Sequence, residues 1–231
     1  MAAGALYGLG LGPGDPELVT VKALRLIRAA PVVAYPAPES GDSFARSIVA
    51  EWLRPAQREI RIGFPMRPGP PPHDIYDRAA ALLAAELDQG NDVAFLCQGD
   101  PLFYGSFAAI YTRLAPRYET SVVPGVSSLT ACAAAAGIPL ARRDETVTVI
   151  PATLAEDELA RRLAGAETAA VIKLGRHVAK LRRVLAGLGL LDGAVYVERA
   201  TQARQRIAPL AEIDPASAPY FAMALVRRAG P

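Results

Sequence analysis

Cysteine, histidine and lysine are scarce in this chain of 231 residues, and its basic and acidic side chains nearly balance. The two cysteines, Cys97 and Cys132, lie in apolar segments, which argues against a disulfide scaffold and predicts free buried thiols of a cytoplasmic protein. With two histidines and no ligand spacing, we expect no metal centre. The net charge is only +2 without a concentrated basic stripe, so we expect no nucleic-acid partner.

Signals for secretion and for membrane insertion are also missing. The first residues have no basic segment, and glycines interrupt their apolar stretch, so we expect no secretory signal. Residues 120–141 carry no charged side chain and could span a bilayer by length, but Pro124, Gly125 and Pro139 interrupt them. We therefore predict that this run is buried in the core and that the protein has no membrane partner.

Hydrophobic residues make up 52% of the chain, which is enough for a substantial core. From Leu6–Gly10 to Ser106–Leu114, short apolar runs alternate with helical patterns, which predicts a mainly parallel sheet with helices on both faces. A break is expected near residues 118–124. The later runs predict a smaller α/β domain with some antiparallel pairing. The predicted fold class is therefore α/β, with two domains at residues 1–118 and 119–231.

Most basic residues of the chain are arginines. Only three of the 25 basic side chains are lysines, which leaves 22 arginines. Because a guanidinium group binds carboxylates and phosphates in a bidentate manner, this bias is compatible with an anionic ligand. A GC-rich genome, indicated by the high alanine content, explains much of the same bias.

The first glycine-rich turn, residues 8–15, does not match the dinucleotide-binding fingerprint. Its glycines fall at every second position, and Pro13 removes a backbone donor from the middle of the turn. Residues 33–37, at the end of the strand predicted at 31–35, include no acidic residue where a ribose-binding group is expected. The turn is therefore either a simple connection or a place where the backbone approaches a bulky ligand closely.

Further turns follow other predicted strands. In Gln98–Gly105 the proline after Asp100 holds that residue extended, and Ser127 or Ser128 can cap the next helix. Because neither serine has a convincing histidine partner, we do not expect a Ser–His–Asp hydrolase. Two later segments, 173–176 and 196–201, are strand-to-loop transitions by themselves. The residues alone therefore predict several glycine-bearing loops around a cleft.

In their order and spacing, these turns resemble the signature motifs of the tetrapyrrole methylases. The motifs are Gly10-x-Gly-Pro-Gly-Asp15, Gly99-Asp-Pro-x-x-Tyr-Gly105 and Pro124-Gly-Val-Ser-Ser128. Other segments are similar to the branch that methylates C20 of precorrin-2: Tyr35-Pro-Ala37, Gly105-Ser-Phe107, Lys173-Leu-Gly-Arg176, Tyr196-Val-Glu-Arg-Ala-Thr201 and Pro219-Tyr-Phe221. The resemblance extends over nearly the whole chain.

This resemblance implies a homodimer whose subunits have two α/β domains with S-adenosylmethionine in a cleft between them. Main-chain groups would bind most of the cofactor, Leu174 and Ala200 would contribute through main chain or shape, and the Asp100 carboxylate would bind a polar part of it. By position, the resemblance assigns cofactor contacts to Pro13, Gln98, Gly99, Asp100, Phe103, Ser127, Ser128, Leu174 and Ala200.

The implied reaction is methyl transfer to C20 of precorrin-2, giving precorrin-3A and S-adenosylhomocysteine in cobalamin biosynthesis. Correct orientation of donor and acceptor can supply roughly 7–11 kcal/mol, so little side-chain chemistry is needed. A base could assist loss of the C20 proton, and the candidates are Asp15, Tyr104 and Glu198. Because the substrate carries acetate and propionate groups, we expect them to pair with Arg142, Arg143, Arg176 and Arg199.

Other functions remain open at this point. The substrate could be cobalt-factor II or cobalt-precorrin-2 of the anaerobic route, with His73 and His177 as axial contacts to test. Methylation at other ring positions or of the diphthamide precursor fits the later segments less well. A carrier or sensor of tetrapyrroles without catalysis is the alternative from a different class, and turnover of S-adenosylmethionine would distinguish it from an enzyme.

Overall fold

The computed structural model describes residues 2–64 and 73–228, and the chain divides into two compact units, 1–127 and 128–231. The predicted proline-rich loop at residues 65–72 lies outside the described residues. Each unit is built on its own sheet.

The first unit contains a parallel five-stranded sheet in the order β3-β2-β4-β1-β5. Its strands are β1 Leu6–Gly10, β2 Val32–Pro38, β3 Arg58–Phe64, β4 Val93–Cys97 and β5 Thr120–Val123. Its helices are α1 Val21–Ala29, α2 Phe44–Ile48, α3 His73–Asp88 and α4 Phe107–Leu114. The predicted parallel sheet is confirmed.

Helices cover both faces of this sheet, as predicted. Every residue of β4 is buried. Because successive side chains of a strand point to opposite faces, Phe95 packs in one apolar cluster with α3 and α4, and Leu96 packs in another with α1 and α2. The continuous apolar run of β4 is therefore that of a strand buried on both faces.

The first predicted helix, residues 16–30, is interrupted in the structure. Asp15 caps a short 3-10 turn at Pro16–Leu18, with its Oδ1 accepting from the Glu17 amide at 2.9 Å. The chain then extends, and Thr20 caps α1 by accepting from the Ala23 amide at 3.2 Å. A second N-cap thus restarts the helix. Val21 is consequently 84% exposed, although its spacing places it on the predicted apolar stripe.

Strand β5 moves the division between the units to a later residue than the predicted boundary at 118/119. Residues Thr120–Val123 pair with β1 in parallel, from Leu6↔Thr120 to Leu9↔Val123, so they belong to the first sheet. The uncharged run at 120–141 folds as β5 and helix α5 Ser128–Ala136. Within residues 2–64 and 73–228, no helix has the length and apolar character needed to cross a bilayer.

The second unit contains a mixed five-stranded sheet in the order β6-β7-β10-β8-β9. Its further elements are β6 Val147–Pro151, α6 Glu156–Ala164, β7 Thr168–Ile172, α7 Val178–Gly187, β8 Ala194–Glu198, β9 Arg206–Pro209 and β10 Ala222–Arg227. Strands β6 and β7 pair in parallel, whereas β10 runs antiparallel to β7 and β8, and β9 antiparallel to β8. The predicted antiparallel pairing is confirmed, and β9 was not predicted.

Gln57 connects the end of α1 to the turn before β3. Its Nε2 donates to the carbonyl oxygens of Ile27 and Ala30 at 2.6 and 2.8 Å, and its Oε1 accepts from the Arg54 amide at 2.6 Å. Only 9% of the residue is exposed. Because Gln57→Leu leaves three backbone groups without these partners, we expect a loss of about 2–3 kcal/mol in the free energy of unfolding, measured by urea denaturation.

The matched control for this substitution is Gln89→Leu, at an exposed position directly after α3. We expect a change within about 0.5 kcal/mol there. Equal unfolding midpoints for the two variants would contradict the role given to Gln57.

Candidate functional site

Three loops meet at the carboxyl edge of the first sheet. Strands β4, β1 and β5 are adjacent and parallel, so the loops that follow them, 98–106, 11–15 and 124–127, lie side by side. Strand β1 leads to helices on one face and β4 leads to α4 on the other. Adjacent strands whose connections leave in opposite directions create the crevice in which α/β sheets bind ligands.

Glycines let the backbones of these loops touch. The Gly99 amide donates to the Gly12 carbonyl at 2.7 Å, and the Gly12 amide donates to the Gly99 carbonyl at 3.3 Å. A Cβ atom on Gly10 would lie 2.3 Å from the Gly125 nitrogen, and one on Gly125 would lie 2.2 Å from the Gly99 oxygen. Side chains at Gly10 and Gly125 are therefore excluded by backbone atoms.

At position 99, backbone conformation rather than steric exclusion favours glycine. Its φ is +70°, in the left-handed region, and a Cβ atom there would meet no heavy atom within 4 Å. The backbone thus borders open space within this unit, where a ligand can approach main-chain groups. This is the form of recognition that the sequence predicts for Gly99.

The Asp100 carboxylate connects two of the three loops. Its Oδ1 accepts from the amides of Leu102 and Phe103 at 2.9 and 3.1 Å, and its Oδ2 accepts from the Gly125 amide at 3.1 Å. The side chain therefore organises the turn after β4 and connects it to the turn after β5. Direct contact between this carboxylate and a cofactor stays a prediction, and the geometry adds a positioning role.

Two aromatic side chains of the loop after β4 are partly exposed. Phe103 and Tyr104 are 36% and 53% exposed, and their rings make an edge-to-face pair with centroids 5.1 Å apart. Tyr104 has a φ of +57°, which is unusual for a residue with a side chain. A Cβ atom on Gly105 would lie 2.6 Å from the Pro101 oxygen, so the second glycine of the motif allows the loop to fold back tightly.

The remaining predicted residues of the first unit take varied positions. Pro13 is buried in the loop after β1, Gln98 directly follows β4, and Asp15 caps the 3-10 turn. Ser127 ends the first unit, and Ser128 is the first residue of α5 in the second.

Neither cysteine has the environment of a nucleophile. Burial raises the pKa of Cys132 to about 12. Burial and then the charge of Asp100 raise the pKa of Cys97 well above its ordinary value. Both thiols are therefore protonated at neutral pH and act as small apolar groups.

In the second unit, the predicted loops lie at one edge of the sheet. Strands β7 and β8 both run antiparallel to β10, so they end at the same edge. Leu174 and Ala200, the predicted cofactor contacts, follow these strands and are buried. Contacts through main chain or shape remain the prediction for both.

The backbone at this edge is strained. Lys173, Arg199 and Thr201 have φ values of +55°, +48° and +69°. The left-handed conformation costs roughly 1–2 kcal/mol for a residue with a Cβ atom. Strain of this kind is concentrated at functional sites, where the surrounding structure enforces it. The observation therefore supports a functional role for the ends of β7 and β8.

Glu198, the last residue of β8, is surrounded by polar partners. Its Oε2 accepts from the Tyr196 hydroxyl at 2.6 Å, and its Oε1 lies 3.4 Å from Nη1 of Arg199. Only 8% of Glu198 is exposed, and Tyr196 is fully buried. Burial, followed by the hydrogen bond to Glu198, raises the pKa of Tyr196. Tyr196 therefore remains a protonated donor at all physiological pH values.

The four predicted substrate-binding arginines do not lie together. Arg176 and Arg199 follow β7 and β8 at the edge just described. Arg142 and Arg143 precede β6, which is parallel to β7, so they lie at the opposite edge. That loop is anchored there because Glu145 accepts from the Arg142 amide at 2.8 Å and from Arg227 at 2.6 Å. Of these four arginines, Arg176 and Arg199 therefore lie at the same edge of the sheet.

The two histidines belong to different units of the chain. His177 is half-buried in a 3-10 turn before α7, and burial, followed by the charges of Lys180 and Arg176, lowers its pKa. His73 begins α3, and its side chain lies outside the described residues. In the part of the chain that the structure describes, no three His, Cys, Asp or Glu side chains are grouped so that they could hold a metal ion.

Neither the hydrogen bond of Tyr196 to Glu198 nor the position of Arg206 opposite Glu198 was predicted from the sequence. For Tyr196 a signal existed, because residues two apart in a strand point to the same face. For Arg206 there was none, since its place opposite Glu198 depends on the pairing of β8 with β9. The contacts of Gly10 with Gly125 likewise became visible only in the structure.

Comparisons with known proteins agree with the predicted family. The sequence profile described as Tetrapyrrole (Corrin/Porphyrin) Methylases matches residues 5–214. The chain is 46% identical over 234 residues to the cobalamin biosynthesis protein CobIJ of Mycobacterium tuberculosis, covering 97% of this chain and 46% of CobIJ. The chain therefore spans about half the length of that relative.

Two other relatives match along nearly their whole length. The precorrin-2 C(20)-methyltransferase of Sinorhizobium sp is 41% identical over 235 residues, which cover 98% of this chain and 96% of that protein. The cobalt-precorrin-2 C(20)-methyltransferase of Salmonella typhimurium is 34% identical over 230 residues, which cover 97% of both.

Solved structures show the same fold. The cobalt precorrin-4 methyltransferase CbiF has a TM-score of 0.76 and 26% identity, over 96% of this chain and 94% of that one. The uroporphyrin-III C-methyltransferase of Thermus thermophilus, solved with S-adenosylhomocysteine, has a TM-score of 0.72 and 26% identity, over 97% of each chain.

Proposed function

Because the chain belongs to the tetrapyrrole (corrin/porphyrin) methylases, we propose that it methylates C20 of precorrin-2, giving precorrin-3A in cobalamin biosynthesis. The observation that carries the proposal is the similarity to the Sinorhizobium precorrin-2 C(20)-methyltransferase, at 41% identity over nearly the full length of both chains. The similarity to CobIJ is higher in identity but covers only 46% of that protein. A methyltransferase acting on a tetrapyrrole is the function that the site supports best.

The glycine loops of the first unit fit S-adenosylmethionine as the methyl donor. Main-chain groups at Gly12 and Gly99 are brought close together, and open space borders Gly99 on the side where a Cβ atom would point. Pro13 and the absence of a regular phosphate-binding pattern suit a donor that has no phosphate groups. In this proposal the loops that follow β1, β4 and β5 hold the donor mainly through backbone contacts.

S-adenosylmethionine, when bound, supplies a methyl group already activated by its positively charged sulfur. The protein's contribution is therefore to hold donor and acceptor carbon in line, which can supply roughly 7–11 kcal/mol of the barrier reduction. Asp100 contributes indirectly by fixing two of the loops, through its bonds to the amides of Leu102, Phe103 and Gly125.

A base can assist loss of the C20 proton, and the first unit offers two candidates. Asp15 is half-buried, and one of its carboxylate oxygens accepts from the Glu17 amide. Tyr104 is half-exposed next to the glycine loops, on strained backbone. Glu198 was the third candidate, and its contacts with Tyr196 and Arg199 favour a positioning role instead.

The proposal includes a cytoplasmic homodimer that acts on a small-molecule tetrapyrrole. The two buried thiols suit a reducing compartment, where disulfides do not form. Light scattering coupled to size exclusion measures the mass of the particle, and a mass of one chain would remove the dimer from the proposal without affecting the reaction.

The reaction is tested by mass spectrometry of the tetrapyrrole after incubation with methyl-labelled S-adenosylmethionine under anaerobic conditions. Metal-free precorrin-2 and cobalt-factor II are supplied in parallel. We expect one labelled methyl group on the metal-free ring, located at C20 by fragmentation and NMR.

Two other outcomes would change the assignment. Methylation of the cobalt form alone would place the chain with relatives such as the Salmonella cobalt-precorrin-2 C(20)-methyltransferase. Binding of the ring without any consumption of S-adenosylmethionine would identify a carrier and contradict the proposed activity.

A further inference from the structure

A tyrosine and three charged side chains lie together at the end of β8. This group, called here the Glu198 cluster, consists of Tyr196, Glu198, Arg199 and Arg206. Tyr196 donates to one carboxylate oxygen of Glu198 at 2.6 Å, and the Arg199 guanidinium lies 3.4 Å from the other. Because Tyr196 is fully buried and Glu198 is only 8% exposed, the hydrogen bond holds the carboxylate in one orientation.

Arg206 enters the cluster through the pairing of β8 with β9. It lies directly opposite Glu198 in the antiparallel register, so the two side chains share one face of the sheet. The positive charges of Arg206 and Arg199 both act on Tyr196, where they oppose the rise in its pKa that burial causes. The Arg199 guanidinium therefore contacts the carboxylate, and the charge of Arg206 acts on the buried tyrosine that is bonded to it.

The backbone conformation of Arg199 turns its side chain toward Glu198. Consecutive residues of a regular strand point to opposite faces, so Arg199 would normally point away from Glu198. Its φ of +48° turns the chain, and its amide donates to the Phe221 carbonyl at 3.0 Å, which stabilises the turn. The unusual conformation is therefore the reason why the guanidinium of Arg199 approaches its own neighbour in sequence.

We propose that Glu198 is a positioning residue that orients Arg199, beside the charge of Arg206, to bind a carboxylate side chain of the tetrapyrrole substrate. One carboxylate cannot neutralise two guanidinium groups, so the cluster keeps a net positive charge beside the strained end of β8. Guanidinium groups that are already oriented lose less entropy when they bind a carboxylate. The inference rests on the proposed function, because it names what part of that substrate is recognised.

The same contacts argue against Glu198 as the proton acceptor. One of its oxygens accepts from Tyr196 and the other faces Arg199, so both oxygens are already engaged within the cluster. A general base would lower kcat when removed and would leave its ionisation in the pH profile. A positioning residue would instead weaken substrate binding and leave the pH profile of kcat unchanged.

The decisive variant is Glu198→Gln, which keeps an acceptor for the Tyr196 hydroxyl and removes the charge. Binding is measured by fluorescence titration with uroporphyrin III, a stable tetrapyrrole with acetate and propionate groups, and turnover is measured with precorrin-2. We expect the Kd for uroporphyrin III and the KM for precorrin-2 to rise about 3- to 10-fold. The Kd for S-adenosylhomocysteine and the pH profile of kcat should stay as in the wild type.

Arg199→Gln removes the guanidinium that is proposed to bind the substrate carboxylate. It leaves the buried hydrogen bond between Tyr196 and Glu198 in place. Loss of a charged hydrogen-bond donor should raise the Kd for uroporphyrin III about 10- to 100-fold, and Arg199→Lys should recover part of that loss. The matched control is Arg162→Gln, which breaks an exposed Arg–Glu pair on α6, where Nε of Arg162 lies 2.5 Å from Glu158. Its Kd should equal that of the wild type.

Several results would overturn the inference. A large fall in kcat for Glu198→Gln with unchanged uroporphyrin binding would identify Glu198 as the base. Wild-type affinity in both Glu198→Gln and Arg199→Gln would show that the cluster does not bind the ring. Because the titration needs no turnover, it tests the cluster even if the chain fails to methylate precorrin-2. If Glu198→Gln is unfolded by circular dichroism, Arg199→Gln carries the test.

Discussion

Gly125→Ala should reduce the affinity for S-adenosylhomocysteine by about 100-fold, as measured by isothermal titration calorimetry. The new Cβ atom would lie 2.2 Å from the Gly99 oxygen and 2.8 Å from Gly10 backbone atoms. These are main-chain atoms of two other loops, so no flexible side chain can move aside. The loops must separate, and two lost hydrogen bonds to the ligand at about 1.5 kcal/mol each are enough for a loss of that size.

The control for this prediction is Gly63→Ala in β3. A Cβ atom on Gly63 would meet no heavy atom within 4 Å, and its φ is not in the left-handed region. We expect wild-type affinity there, whereas Gly10→Ala should repeat the loss from a second loop. If Gly125→Ala folds and still binds S-adenosylhomocysteine as tightly as Gly63→Ala, the cofactor does not depend on these loops.

Asp100→Ala should also abolish measurable binding of S-adenosylhomocysteine while the protein remains folded. The substitution removes the acceptor for the amides of Leu102, Phe103 and Gly125, so the turn after β4 loses both its internal order and its connection to the turn after β5. Asp100 is half-buried and lies outside the apolar clusters, so unfolding of the core is not expected. Calorimetry and circular dichroism measure the two properties separately.

Asp100→Asn separates the two functions of the side chain. An amide oxygen can still accept from Leu102 and Phe103, but the amide nitrogen that replaces Oδ2 cannot accept from the Gly125 amide. If the connection between the loops is what the cofactor needs, the asparagine variant should bind nearly as poorly as the alanine variant. Unchanged affinity in Asp100→Ala would contradict any role for this carboxylate in cofactor binding.

Regular alternation made the architecture predictable from the sequence. The apolar run of β4 and the helical spacing in α4 are local patterns, and a strand buried on both faces has little choice of place in a sheet. The order of the glycine motifs likewise identified the family, because the spacing of turns along a chain is a property of the sequence itself. These features can be identified along the chain without knowing which segments become neighbours in the fold.

Other features depend on residues far apart in the chain. Thr120–Val123 could not be assigned to the first sheet from its sequence, because only its pairing with β1 places it there. The predicted helix at 16–30 was interrupted because Thr20 offered a second cap, which the apolar spacing concealed. Local sequence patterns do not show which strands will be adjacent in a sheet. They also do not show which of two possible N-cap residues will begin a helix.

The sequence by itself determined the α/β class, the alternation of strands and helices and the identity of the glycine loops, because periodicity and turn chemistry are local. Only the tertiary structure decided which of those loops contact one another. It placed Gly125 against Gly10 and Gly99, and it moved Arg142 to the opposite edge of the sheet from Arg199. It also brought Arg206 opposite Glu198, because strand register joins residues whose positions in the sequence are unrelated.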